Sequence, residues 1–291
     1  MAICENRVVV ITGAGGGLGK AYAQAFAAEG ARVVVNDINL KAAEEVVSSI
    51  KAAGGEAVAN NHDITDYEES AQIVKQAVDT YGDLHVVVNN AGICRDRMFA
   101  SLSEADWDAV VAVHLKGHFC ISSHAVKYWR EQSKGGKDVR ARIINTSSGA
   151  GLQGSLGQSN YAAAKGAIAS LTLNQAAELG RYGITANALA PAARTGMTEE
   201  VFADVMKKPE DGFDHFAPEN VAPVVVWLGA ESSQHVSGKM FEVEGGKLSI
   251  ADGWRTGPQK DKGARWEPSE LGTVVDELVN ESVPAQKVYG T

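Results

Sequence analysis

The sequence predicts one α/β domain, a doubly wound parallel sheet of about seven strands with helices on both faces, and three observations predict it. Short β-branched runs alternate with longer amphipathic ones along most of the chain. The short runs are almost continuously apolar, as strands covered on both faces must be. A glycine-rich turn, "TGAGGGLGK" (12–20), joins the first run to the first amphipathic stretch.

In order, the strands are "RVVVIT" (7–12), "ARVVVND" (31–37), "EAVANNHD" (56–63), "LHVVVNN" (84–90), "ARIINTSS" (141–148), "ITANALAP" (184–191) and "KMFEVEGG" (239–246). Helices are predicted near 18–29, 40–53, 66–80, 104–131, 158–181 and 218–231, the last with Pro218 and Glu219 near its first turn. Two regions stand outside the alternation. Residues 192–217 form a long polar connection that would cap the carboxyl edge of the sheet, as substrate lids do. The tail from Lys247 is rich in Gly, Pro and Lys, then offers one amphipathic stretch, "ELGTVVDELV" (270–279). The organisation predicted is a domain over 1–246, including that lid, with 247–291 as a C-terminal extension of it. No internal repeat or low-complexity tract interrupts it.

Composition narrows the function classes. Hydrophobic residues make up 45% and charged residues 22%, the balance of a soluble globular protein. No run approaches the roughly 20 apolar residues of a membrane span, and the start has no signal-peptide pattern. Cys4, Cys94 and Cys120 lack metal or disulfide spacing, so they read as packing residues in a reducing compartment, and no metal site is expected. A net charge of −9 argues against a general nucleic-acid surface while allowing a local basic patch for an anionic ligand. The address expected is the cytoplasm.

Ligands of such sheets sit outside the carboxyl ends of the strands, so the strand ends hold the candidate site. In the glycine turn, the backbone can bend tightly and let a pyrophosphate approach a helix N-terminus. The spacing does not fit G-x-G-x-x-G, because a start at Gly13 puts Leu18 where the last glycine belongs. It fits T-G-x-x-x-G-x-G through Thr12, Gly13, Gly17 and Gly19, a variant that resembles the short-chain dehydrogenase/reductase family, and this implies a Rossmann-type fold and a nicotinamide cofactor. Gly13, Gly17, Leu18 and Gly19 are then cofactor contacts. Asp37, 20 residues after Gly17 at the end of the second strand, would accept from the adenosine ribose hydroxyls. Its charge would repel a 2′-phosphate, and Ala14, Gly15 and Gly16 supply no cation to hold one, so NAD is expected over NADP. The resemblance further implies that Asp63 and Ile64 flank the adenine and that Asn90, Ala91 and Gly92 meet the cofactor. Each would otherwise be plain turn chemistry.

"NYAAAKGAI" (160–168) places Tyr161 and Lys165 one helical turn apart, which alone is an ordinary surface pair. Ser148 lies 13 residues earlier at a strand end, and Ser followed by Tyr-x-x-x-Lys is the family's reactive constellation. Oxidising an alcohol needs a base for the hydroxyl proton, and a free tyrosine with a pKa near 10 is a poor one. Lys165 and a positive nicotinamide ring would both stabilise a tyrosinate, and Lys165 would also hold the nicotinamide ribose. Ser148 would donate to the substrate oxygen. Two positions depart from the family pattern. His114 stands where Asn usually helps carry the proton path, and it reads equally as a satisfied helix histidine. Pro191-Ala192 stands where Pro-Gly is usual, while Ala193, Arg194, Thr195 and Gly196 would still meet the nicotinamide and pyrophosphate.

Within the family, "GAGGGLGKAYAQAFAAEGARVVVNDI", "VHLKGHF", "GQSNYAAAK" and "APENVAPVVVWLGAESS" look most like the (3R)-hydroxyacyl-CoA dehydrogenase part of peroxisomal multifunctional enzyme type 2, also called 17β-hydroxysteroid dehydrogenase type 4. His114 belongs to that likeness. The substrate implied is a small alcohol or ketone carried as a CoA thioester, with Arg95, Arg97 and Arg194 as local cations for it. Rival readings are a steroid or other secondary-alcohol dehydrogenase, a 3-oxoacyl carrier-protein reductase, and a nucleotide-binding sensor without turnover. Pairing of helices 104–131 and 158–181 would give a homodimer or homotetramer.

Overall fold

The computed structural model describes residues 2–196, 206–253 and 255–291. Residue 1, the stretch 197–205 of the expected lid, and residue 254 lie outside the described residues. Eight strands form one sheet: β1 (Val8–Thr12), β2 (Arg32–Asn36), β3 (Glu56–Asn60), β4 (Val86–Asn89), β5 (Ala141–Thr146), β6 (Ile184–Ala192), β7 (Met240–Glu244) and β8 (Lys247–Ala251). Their order is β3-β2-β1-β4-β5-β6-β7-β8. The first seven are parallel, in registers such as Val9 opposite both Val33 and Val86, and β8 runs antiparallel to β7.

Alternation along the strands feeds two cores. On one face Val9 and Ile11 meet Tyr22 and Phe26 of α1 (Gly17–Ala28), Val46 of α2 (Leu40–Ala52) and Val225 of α8 (Ala222–Gly229). On the other, Val8, Val10 and Ile143 meet Ile73 of α3 (Tyr67–Tyr81) and Ile121 and Trp129 of α5 (Gly117–Lys134). Trp129 is buried and its indole N–H donates to the Leu84 carbonyl at 2.7 Å, so its large apolar area is covered without orphaning its donor. Side-chain caps start the helices where the sequence supplies them: Asn39 accepts from Ala42 N, and Asp66 from the N–H groups of Glu68 and Glu69. Because β1 sits between β2 and β4, the order in which strands are added reverses there, and a crevice opens above the carboxyl ends of β1 and β4.

Three elements differ from expectation. The tail begins with an edge strand: Gly245, at φ 54°, and Gly246 turn β7 back into β8, pairing Glu244 with Lys247. The helix expected over 104–131 is α4 (Glu104–Val111), then a π-helical turn (Ala112–Lys116), then α5. A short α6 (Gly149–Gln153) precedes α7 (Ser159–Leu179). Beyond β8, α9 (Leu271–Glu281) buries none of its residues.

Candidate active site

The glycine turn is fastened to the end of β4. Thr12 Oγ1 accepts from the N–H groups of Asn90 and Ala91 at 3.0 and 3.1 Å, and Asn90 Nδ2 donates to the Thr12 and Gly13 carbonyls. Gly13 and Gly17 take φ values of 63° and 50°, a region that favours glycine. A Cβ on Gly13 would stand 2.7 Å from Ala91 Cα, and one on Gly19 2.3 Å from the Gly13 carbonyl oxygen. Gly19 therefore sits behind the turn, where it lets α1 pack against it. At the mouth, Gly16 is the N-cap of α1 and offers no side-chain acceptor, and a Cβ on it would meet open space. The first N–H groups of α1 thus have no intrahelical or capping partner, which suits a pyrophosphate. Asp37 lies just beyond β2, with Oδ2 accepting from Gly15 N and Oδ1 from Asn39 N, both at 2.9 Å. These groups fit a dinucleotide: Gly16, Gly17 and Leu18 would hold its phosphates and Asp37 its adenosine ribose.

A cavity of about 380 Å³ runs from this turn to the reactive end. It is lined by Gly13, Gly16, Gly17, Leu18 and Asp37, then Asn90, Ala91, Gly92 and His114, then Thr146, Ser147, Tyr161 and Lys165, with Pro191, Ala193, Thr195 and Gly196 on the far wall. Lys165 is buried, and its Nζ donates to the Thr146 carbonyl at 2.6 Å and lies 5.4 Å from the Tyr161 ring centroid. Ser147 Oγ donates to the Lys165 carbonyl at 2.7 Å, so β5 grips the helix that carries the pair. Burial lowers the Lys165 pKa to about 7. It raises that of Tyr161 to about 12; the Cys94 thiol adds to the rise, and a hydrogen bond with Ser148 opposes it. Among the protein's own groups burial of the phenol dominates, and the lowering expected from Lys165 does not appear.

His114 projects from the π-helical turn. Its ring meets the Tyr161 ring edge-on with centroids 5.1 Å apart, and its Nε2 lies 3.0 Å from Ile93 N and 2.8 Å from Ile93 O. Nδ1 has no hydrogen-bond partner among the described residues. Burial and the Lys165 charge lower its pKa to about 3, so it is a neutral imidazole. A Cβ on Gly92 would lie 2.4 Å from its Cε1; glycine at 92 makes room for the ring.

Other candidates stand apart from the cavity. Ser148 is the N-cap of α6, and its Oγ accepts from Ala150 N at 3.2 Å; it borders Tyr161 without lining the cavity. Asp63 accepts from Thr65 N, and Ile64 is buried where a side chain on Gly117 would collide with it. Arg194 ion-pairs with Asp214 and donates to the Met206 carbonyl, both in the connection that follows β6. Arg95 and Arg97 are exposed, each donating to the carbonyl of the preceding residue. Sequence reasoning passed over Thr146, Ser147 and Gly16; the signal for the first two was their place in "INTSS", at the end of the strand that leads to Tyr161.

A family model described as short chain dehydrogenase matches residues 7–206. Hydroxyacyl-CoA dehydrogenase ChsB1 of Mycobacterium tuberculosis is 40% identical, over 99% of this chain and 93% of its own length. The peroxisomal multifunctional enzyme type 2 of Mus musculus is 44% identical over 83% of this chain, and the match spans only 32% of that longer protein. A crystal structure of a short chain dehydrogenase from Mycobacterium avium superposes with a TM-score of 0.92 at 57% identity, covering 99% of this chain and 100% of that one. No helix among the described residues is long and apolar enough to cross a membrane.

Proposed function

The chain belongs to the short-chain dehydrogenase/reductase family and is an oxidoreductase with a nicotinamide cofactor, and from that premise we propose that it uses NAD to oxidise a (3R)-hydroxyacyl-CoA to the 3-oxoacyl-CoA. The observation that carries the chemistry is the single cavity that holds the uncapped start of α1, Asp37, Tyr161 and Lys165 together. A nicotinamide cofactor held by Gly16, Gly17, Leu18 and Asp37 would supply the hydride acceptor. Tyr161 Oη takes the proton of the substrate hydroxyl, and Ser148 Oγ donates a hydrogen bond that holds the same oxygen. Lys165, fixed by the Thr146 carbonyl, holds the nicotinamide ribose and favours the tyrosinate. His114, neutral and buried beside Tyr161, keeps its charge state and offers an unpaired Nδ1 with which to hold a water on the proton path, the place an Asn usually takes. Asp37 favours NAD because its carboxylate repels a 2′-phosphate.

The CoA thioester rests on the likeness to hydroxyacyl-CoA dehydrogenases, together with the exposed cations Arg95 and Arg97 in the loop after β4. The same reading places the protein in the cytoplasm as a homodimer or homotetramer paired through α4–α5 and α7, with 247–291 an extension of one domain. The deciding experiment compares a 3-hydroxyacyl-CoA with the same hydroxy acid free, each as (3R) and (3S) forms, with NAD in excess. The (3R) thioester should have the highest kcat/KM, and salt should erode its advantage if Arg95 and Arg97 carry it. Equal rates with the free acid, or turnover of steroid ring hydroxyls alone, would move the assignment to a secondary-alcohol dehydrogenase.

A further inference from the structure

The segment 149–158 links Ser148 to the helix that carries Tyr161, and it is held from two sides. Arg97 N donates to the Gly157 carbonyl at 2.8 Å on one side. On the other, residues near the end of the tail run parallel to it: Leu156 N donates to the Tyr289 carbonyl at 3.0 Å, and Tyr289 N to the Gly154 carbonyl at 3.2 Å. The tail fits because side chains are missing where it lands. A Cβ on Gly149 would lie 2.5 Å from the Tyr289 hydroxyl and 2.9 Å from its Cε2, so the phenol rests directly on the residue after Ser148. Likewise a Cβ on Gly154 would stand 3.4 Å from Val288, and one on Gly290 3.3 Å from Leu156.

This small ladder carries an exposed apolar surface. Met98, Leu156 and Tyr289 are 61%, 52% and 49% exposed, and the Met98 sulfur lies 4.0 Å from where a Cβ on Gly157 would be. None of the three lines the cavity of the glycine turn. They flank the two residues that meet the substrate oxygen, and adjoining large apolar groups left in water beside a reaction centre mark a binding surface.

We propose that Tyr289 is a specificity-determining residue: the tail delivers its ring beside Ser148, where with Leu156 and Met98 it takes the apolar acyl portion of the substrate. The inference rests on the acyl-substrate reading above and deepens it. Each methylene covered by such a wall is worth about fourfold in affinity, so a ring that covers two or three should discriminate strongly by chain length and hardly at all among short substrates. A structural role alone would move all substrates together.

The test uses the full chain and its Tyr289→Ala and Tyr289→Phe variants, with kcat/KM measured on (3R)-hydroxybutyryl-CoA and (3R)-hydroxydodecanoyl-CoA. Tyr289→Ala should lose roughly tenfold or more on the long substrate and stay within about twofold on the short one, while Tyr289→Phe follows the wild type. An equal loss on both, or none on the long substrate, overturns the proposal. If the wild type refuses both thioesters, the substrate reading has failed by itself, and the same comparison on 2-butanol and 2-dodecanol still decides the wall. Independently of turnover, hydrogen exchange at the Leu156 amide should be slow in the wild type and fast in a chain ending at Ser282; a Leu156 amide that exchanges freely in the wild type also overturns it.

Discussion

The glycine turn and the C-terminal tail reach the same site from opposite ends of the chain, and they are held there by different physics. At the turn, Gly13 and Gly19 have backbone within 2.7 and 2.3 Å of where their Cβ atoms would be, and the strands beneath are fully buried. Nothing there can move without breaking packing on both faces of the sheet. Past β8, the end of the tail meets the site through two main-chain hydrogen bonds and an exposed tyrosine, and α9 before it buries none of its residues. One region is buried and closely packed; the other presents an exposed apolar surface held by main-chain contacts near the end of the chain.

The sharpest way to probe the seam between the two is Tyr161→Phe, since Tyr161 faces the cavity of the turn and follows the segment the tail grips. It should lower kcat by about 10²–10⁴ while leaving NAD affinity within a few-fold, because it removes the proton acceptor and keeps the ring. Near-native kcat would dissolve the proposed chemistry, whatever the fate of the tail.

Gly13→Ala tests the rigidity of the turn. A left-handed alanine costs about 1–2 kcal/mol, and the clash with Ala91 adds to it, so the variant should lose about 3 kcal/mol of stability in denaturant titration and bind NAD at least tenfold more weakly. A loss below about 0.5 kcal/mol would show that the turn yields as readily as the tail.

Asp37→Ala separates main-chain from side-chain recognition within the turn. Losing a charged ribose acceptor should lower kcat/KM for NAD by about tenfold and narrow the preference over NADP. An unchanged ratio between the cofactors would leave the phosphate seat as the whole of cofactor recognition.

These regions also differ in how far the sequence disclosed them. The turn, Asp37 and the Tyr161–Lys165 pair were readable because their geometry is local: one strand end, one helix start, one helical turn. The β7–β8 hairpin was readable in principle, since "EVEGGKLSIA" is two alternating runs about a Gly-Gly pair, but the composition of the tail masked it. The contact of Gly149 with Tyr289, the room Gly92 leaves for His114, and the ion pair of Arg194 with Asp214 join residues that no periodicity relates. The π-helical turn beneath His114 likewise has no sequence signature in an otherwise helical run.

Lys165 offers a subtler contrast, because a buried cation taxes the fold at the very point where it serves the site. Its folded pKa of about 7 lies below the roughly 10.4 of an unfolded lysine. Between those values the unfolded chain binds more protons, so this group makes stability rise with pH from about 7 toward 10. The melting temperature of the wild type relative to Lys165→Met should therefore climb between pH 7 and pH 9. A flat difference would mean that Lys165 keeps an ordinary pKa, and that the dry surroundings inferred for the dyad admit water.

The smallest effect belongs to the tail's helix. Val279 is 63% exposed on α9, whose polar contacts in the fold are ion pairs such as those of Lys260 with Glu277 and Glu281. Exposed pairs of this kind hold little free energy, and α9 buries none of its residues. Val279→Ala should then change stability by less than about 0.5 kcal/mol, with alanine's better helix propensity offsetting the lost methyls. Measured by denaturant titration beside Gly13→Ala, it sets the scale of the comparison. A cost above about 1 kcal/mol would mean that Val279 is covered in solution, and the apolar stripe of α9 would then have to be read as a contact surface rather than as a loosely tethered arm.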